Sequence, residues 1–358
     1  MKKLFYCFCA LSILASCKKE PFENNPVTQP LYFPPASNTS WQTVTPSSLG
    51  WNTTELNNLL AYLQQKNTKA FIVLKSGKIV VEQYFGSFSA DSNWYWASAG
   101  KTMTAMLVGI AQQEGLLNID NRTSQYLGTG WTSLPLAKEN LITVKHQLTM
   151  TTGLDDGVPN DECVSPSCLV YKSDAGSRWA YHNAPYTLLD KVVENASGTT
   201  YNNYFQQKIR NRIGMNGLWI KTGDNNVYYS TARSMARFGL LMLNRGNWDG
   251  VSILSDSAYF NAQVTTSQNF NRSYGYLTWL NGKTSYMAPT LQTVFTGPLV
   301  PNAPADMYAA LGKNDQKIYV VPSAQLVVIR MGESAGSVQL AVSGFDNELW
   351  GKLDLIIP

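Results

Sequence analysis

Apolar positions along the chain follow two rhythms. From Thr53-Thr54-Glu55 onward, Leu56, Leu59, Leu60 and Leu63 fall three and four residues apart, which predicts a capped amphipathic helix. The spacing then shortens. Residues 70–74 and 79–85 are β-branched runs on either side of Lys75-Ser76-Gly77-Lys78, the turn chemistry of a hairpin. Helical spacing returns over 98–117, where Met103, Met106, Leu107, Ile110 and Leu117 form the apolar stripe and Gly115 stands near the stop. Further helices are predicted over about 143–151, 185–196, 200–212 and 230–244, joined by Gly- and Asn-rich loops. Strand character reappears at 273–280, 317–321 and 325–331, with Pro322-Ser323 turning the last pair, before a closing helix over about 345–355.

Strands at both ends with helices between them predict an α+β fold. Its economical form is one antiparallel sheet built from both chain ends and flanked by helices, with a mostly helical lobe inserted. The sheet lobe would take residues 41–97 and 265–358, and the helical lobe 98–264.

The first residues read differently. Met1-Lys2-Lys3 is a basic start, and residues 4–15 form an apolar run too short to span a bilayer, so residues 1–16 read as a secretory signal. The run closes with Leu14-Ala15-Ser16-Cys17, which resembles the lipobox of bacterial lipoproteins and implies lipidation of Cys17 and a membrane as partner. Five prolines among residues 18–40 make residues 17–40 an anchor and stiff tether, leaving 41–358 as the globular domain. The expected location is the cell envelope, on the periplasmic or outer face of an outer membrane.

Composition narrows the chemistry. The 358 residues carry 28 Lys plus Arg against 24 Asp plus Glu, and the net charge of +4 becomes +2 without the signal, too even to point to nucleic acid. Only His146 and His182 are present, which leaves little for a histidine-rich metal site or a Ser-His-Asp triad, so no metal or cofactor is expected. His146 reads as a helix-surface residue and His182 as a loop residue. Cys163 and Cys168 are close in sequence, and in an exported protein they read as a local disulfide.

At the start of the long apolar helix stands Ser98-Ala99-Gly100-Lys101. There the Ser98 hydroxyl would sit near helical N–H groups, and Lys101, one turn on, could reach it: a nucleophile beside an amine. Ser-x-x-Lys alone is weak, and Ser16 to Lys19 repeats it at the signal junction. A second element is Tyr181-His182-Asn183, in a turn before a helix, where a phenol and an amide can both face a cleft. Tyr201-Asn202-Asn203 repeats the pattern but reads as core and surface of a helix. Isolated Lys and Tyr titrate near 10, so either would need a strongly lowered pKa to act as a base at neutral pH. Trp94, Tyr95 and Trp96 could line an acyl pocket, with core packing as the alternative, and Asp155-Asp156-Gly157 suits a turn.

Together with residues 96–101 and 148–154, these segments resemble the serine hydrolases related to class C β-lactamases. That family includes penicillin-binding DD-peptidases, esterases and 6-aminohexanoate-dimer hydrolases, and the resemblance runs over roughly residues 50–355. It implies a β-lactamase/transpeptidase-like fold, a nucleophilic Ser98, a Lys101 that assists deprotonation, a Tyr181 that shuttles protons, and an Asn183 that positions the substrate. A third motif supplies an oxyanion N–H in the family. Lys221-Thr222-Gly223 matches it literally, but chain order favours Gly312-Lys313, similar to the Gly-x-Gly-Gly-Gln variant of the esterase branch. Ala310 then stands where a cationic Lys would hold a substrate carboxylate. The expected activity is hydrolysis of a small or peptide-like ester or amide, with a DD-peptidase or β-lactamase, or a non-catalytic binding lipoprotein, as alternatives.

Overall fold

The computed structural model describes residues 30–358. The signal segment, Cys17 and the first part of the tether lie outside the described residues. Helix α1 (Thr53–Gln65) begins at Asn52, whose side chain accepts hydrogen bonds from the Thr54 and Glu55 N–H groups at 3.1 Å. The cap is therefore one residue earlier than the Thr-Thr-Glu pattern suggests. Strands β1 (Thr68–Lys75) and β2 (Lys78–Tyr84) form the expected hairpin, followed by β3 (Trp94–Tyr95) and helix α2 (Gly100–Gln113). Residues 100–111 of α2 are buried on every side, as befits a helix running through a core rather than over it.

The helical region continues with α3 (Leu189–Ser197), the hairpin β4 (Leu218–Thr222) and β5 (Asn225–Ser230), and α4 (Ala232–Leu243). The chain then supplies β6 (Trp279–Leu280), β7 (Tyr308–Gly312), β8 (Gln316–Val321), β9 (Leu326–Gly332) and the closing helix α5 (Gly344–Leu353). Residues 273–278, expected in a strand with 279–280, instead form buried turns whose polar groups bond locally, as when the Thr278 hydroxyl donates to the Tyr276 carbonyl at 2.9 Å.

The main sheet has six strands in the order β2-β1-β9-β8-β7-β6, each pair antiparallel. The first two come from the start of the domain and the last four from its end, as the pattern of predicted elements implies. Strands β8 and β9 are buried along their full length because helices cover both faces. On one face α4 packs so closely that a methyl group on Gly239 would lie 2.5 Å from Val327 Cγ1. A separate sheet, β3-β5-β4, joins the strand before Ser98 to the helical region.

The proline-rich stretch does not stay free up to residue 40. From Leu31 onward it belongs to the compact unit. The buried Arg237 guanidinium donates to the carbonyls of Pro34, Pro35 and Asn38, and Phe33 packs edge-on against Trp248 with ring centroids 5.2 Å apart. Pro carbonyls, which no ladder claims, are natural acceptors for such a clamp.

Between the sheet and α5 lies a fully buried ionic cluster. Lys317 Nζ is 3.2 Å from Asp315 Oδ1 and 2.9 Å from Asp346 Oδ1, and it donates to the Ala341 carbonyl at 2.8 Å. The Tyr319 hydroxyl, the Ser343 hydroxyl and backbone N–H groups satisfy the remaining carboxylate oxygens. Burial pushes the Asp315 carboxyl up, but Lys317 and these hydrogen bonds more than reverse it and hold it below the usual carboxylate range. Replacing Lys317 with Met leaves two buried carboxylates unpaired and is expected to cost about 3–5 kcal/mol in urea denaturation. A loss below about 1 kcal/mol would show that the cluster is structurally neutral.

Candidate active site

Ser98 occupies a turn of 3-10 helix, Ala97–Ala99, that leads directly into α2. Trp96 fixes this turn from inside the core: its N–H donates to the Tyr228 carbonyl and its indole N–H to the Ser230 hydroxyl, both at 2.8 Å. Ala97 adopts φ 47°, a left-handed conformation that costs a non-glycine residue energy and that the surrounding contacts impose. The end of β7 presses against the same turn. A methyl group on Gly312 would lie 2.4 Å from the Trp96 carbonyl oxygen and 3.0 Å from the Ala99 nitrogen, so only glycine allows this approach.

Lys101 projects from the first turn of α2 and is buried. Burial drives its amine down to about 7, while Glu162 and Asp161 pull weakly the other way. Tyr181 is set by a different segment. The Ala180 N–H donates to the Met150 carbonyl at 2.9 Å, and the Tyr181 ring stacks on Trp279 with centroids 5.9 Å apart. Its hydroxyl is buried; burial raises its pKa well above 10, and a hydrogen-bonding interaction with the facing Ser98 hydroxyl opposes that rise. The two candidate bases therefore separate, with the amine lowered to the working range and the phenol kept protonated.

A cavity of about 450 Å³ brings together Ser98, Lys101, Tyr181, Asn183 and Lys313. Asn183 Nδ2 donates to Asp161 Oδ2 at 3.1 Å. Lys313 has an exposed side chain, and next to it Asn314, at φ 57°, donates from Nδ2 to the Tyr95 hydroxyl at 2.8 Å. This turn is braced from below: Arg330 donates to the Asn314 and Asp315 carbonyls at 3.0 Å, and Gln316 Nε2 to the Asn314 carbonyl at 2.8 Å. Cys163 and Cys168 form a disulfide immediately after Asp161 and Glu162, both of which line the cavity.

Other residues fall elsewhere. Lys221 is mostly exposed and pairs with Asp190 at 2.7 Å, so only Thr222 of the Lys-Thr-Gly triplet reaches the cavity. Tyr201 is core, and Asn202 brackets the Trp219 backbone on β4 at 2.9 Å. Of the three aromatics before Ser98, Tyr95 lines the cavity, Trp96 is core, and Trp94 lies under the Lys69 ammonium, 4.5 Å from the ring centroid. His182 is a loop residue, as expected, at the start of the turn Asn183–Thr187, but it is buried at 2% exposure, and burial lowers its pKa. His146 helps cap its own helix, accepting at Nδ1 from the Thr143 N–H at 3.1 Å. Asp155 accepts from the Gly157 N–H at 3.0 Å, the turn role expected, while Asp156 pairs with the distant Arg178 at 2.7 Å.

Sequence reasoning did not find Asp161, Glu162, Asn225, Asn226, Gln339 or Leu340 as cavity residues. The Cys163–Cys168 pair was a signal for an ordered loop at Asp161, but nothing local indicated where that loop would dock.

The Beta-lactamase family model matches residues 57–348, and the chain belongs to that family of serine hydrolases. An uncharacterized protein of Alkalihalophilus pseudofirmus is 24% identical over 306 residues, which cover 74% of this chain and 83% of that protein. Among solved structures, a Bacillus anthracis protein provisionally named a 6-aminohexanoate-dimer hydrolase superposes with a TM-score of 0.67 at 17% identity, covering 91% of this chain and 89% of its own. A penicillin-binding protein homologue from Caulobacter crescentus gives 0.66 at 13% identity, covering 88% and 99%. Both share the β-lactamase/transpeptidase fold with this chain.

A lysine held at about 7 when folded and near 10.4 when unfolded destabilises the fold fully below pH 7, and the cost fades as pH rises toward 10.4. Lys101→Met should therefore be more stable than wild type by about 2 kcal/mol or more at pH 6 and converge on it near pH 10. Denaturant titrations at the two pH values check this; equal stability at pH 6 would refute the buried ammonium.

Proposed function

We propose that this protein is an exported serine hydrolase that cleaves an ester or amide through an acyl-enzyme on Ser98. The observation that carries the reading is the placing of Lys101: a buried amine, its pKa pushed down to about 7 by burial, lies in one cavity with the Ser98 and Tyr181 hydroxyls. Ser98 Oγ attacks the substrate carbonyl as its proton passes to Lys101 Nζ. The developing oxyanion is received by the N–H groups of Ser98 and Lys313, brought close by Gly312. As the carbon-heteroatom bond breaks, Tyr181 gives its proton to the leaving group and recovers one from the Lys101 ammonium. Water then attacks the acyl-enzyme, losing a proton through the same Tyr181-Lys101 pair, and the acid product leaves with Ser98 restored. Asn183 holds the substrate on the carbonyl side.

Ala310, buried in β7, occupies the position where the family's carboxylate-binding Lys would stand, which favours simple esters and amides over β-lactams. The exposed Lys313 at the cavity is the one observation favouring a DD-peptidase or β-lactamase instead. Residues 1–17 support export and lipid anchoring at Cys17.

A fluorophosphonate probe is expected to label the wild type on the peptide containing Ser98 and to leave Ser98→Ala unlabelled; labelling that survives the substitution would overturn the assignment. Turnover of nitrophenyl esters against a chromogenic cephalosporin separates the two enzyme readings. In cells fed labelled palmitate, the wild type should become labelled and Cys17→Ser should not; equal labelling of both would refute anchoring at Cys17.

A further inference from the structure

Among the described residues, Lys101 Nζ makes no ion pair and no hydrogen bond to a side chain or carbonyl. What it does meet is an aromatic face. The Tyr186 ring centroid lies 3.7 Å from Nζ, and the Tyr181 centroid 5.4 Å. A cation over a ring face is attracted by the ring quadrupole, the more so where water is excluded.

Tyr186 is itself held by the helix that carries Lys101. It sits in the helical turn Asn183–Thr187, and its hydroxyl is 3.4 Å from Thr104 Oγ1, three residues after Lys101 on α2. Thr104 in turn bonds the Tyr201 hydroxyl at 2.8 Å. The ring also lines a small space of about 10 Å³ together with Thr104, Asp190, Tyr201 and Trp219, whose indole N–H has no protein partner.

We propose that Tyr186 is a positioning residue for the reaction: its ring face, backed by Thr104, holds the Lys101 side chain against Ser98 in place of the carboxylate that would otherwise pair with a buried ammonium. The inference rests on the reading of Lys101 as the base. A carboxylate at this point would fix the amine in its charged form, whereas a ring face orients it and still lets it deprotonate.

The test compares Tyr186→Leu, which removes the ring, with Tyr186→Phe, which keeps it. Nitrophenyl ester turnover is followed against pH, with thermal melts to establish that each variant is folded. Tyr186→Leu should lose kcat about tenfold or more, with KM changed less, and Tyr186→Phe should recover most of that loss. Loss of the ring's attraction should also move the Lys101 titration down by about one pH unit. NMR of lysine labelled with 13C at Cε, with Lys101→Met to assign the signal, reads that titration without turnover and so separates this inference from the proposed activity. A folded Tyr186→Leu with unchanged kcat and titration would overturn the proposal. So would an upward shift, which marks the ring as a water seal, or a Phe variant as impaired as Leu, which marks the hydroxyl as the active part.

Discussion

An ammonium group deep in an apolar helix packing is the constraint on which the rest of this molecule turns. α2 passes through the middle of the domain with residues 100–111 buried, so Lys101 emerges where water is scarce and the charged form is disfavoured. The surrounding walls are aromatic: Tyr181 and Tyr186 flank the amine, and Trp279, Tyr274 and Trp179 stand behind Tyr181. The same burial that lowers the amine raises the phenol, so one environment separates two groups that titrate together in water. The proposed division of proton transfer between them rests on that separation.

Such a site demands rigid neighbours, and the sheet supplies them. β7 and β8 are joined by a short turn with Asn314 and Asp315 both at positive φ, a conformation stable only when its surroundings impose it. Arg330, Gln316 and Lys317, all fully buried, bind the backbone and carboxylates of this turn and of the segment that follows β9. Gly312 is thereby held against the Ser98 turn, and Leu340 and Ala341 against the cavity. Because β1 and β2 come from one end of the chain and β7 to β9 from the other, this bracing also closes the domain.

Much of this was legible from local pattern. The β1-β2 hairpin announces itself by its turn and its β-branched runs, and α2 by its apolar spacing, because both signals arise within a few residues. Ser98, Lys101, Tyr181 and Asn183 could be picked out only as a set: each pattern is weak and recurs, at Ser16 to Lys19 and at Tyr201 to Asn203, and it was their resemblance, in order along the chain, to the family's motifs that singled them out. Gly312-Lys313 was distinguishable from Lys221 to Gly223 only by order along the chain. The structure adds the reason: Lys221 turns outward to Asp190, while Gly312 meets the Trp96 carbonyl.

Local pattern is enough for the helix and strand rhythm, for the placement of strands at both chain ends and for the residue types at the candidate site. It took the packed fold to show that His182 is buried, that residues 31–40 dock on Arg237 rather than hang free, and that Asp161 and Tyr186 belong to the cavity. The physical reason is that periodicity reports which face of an element is apolar, whereas burial, pKa and ring contacts depend on groups far apart in the chain. Lys101 shows the difference most directly, since its residue type is written locally and the lowering of its pKa comes from burial by groups distant in the chain.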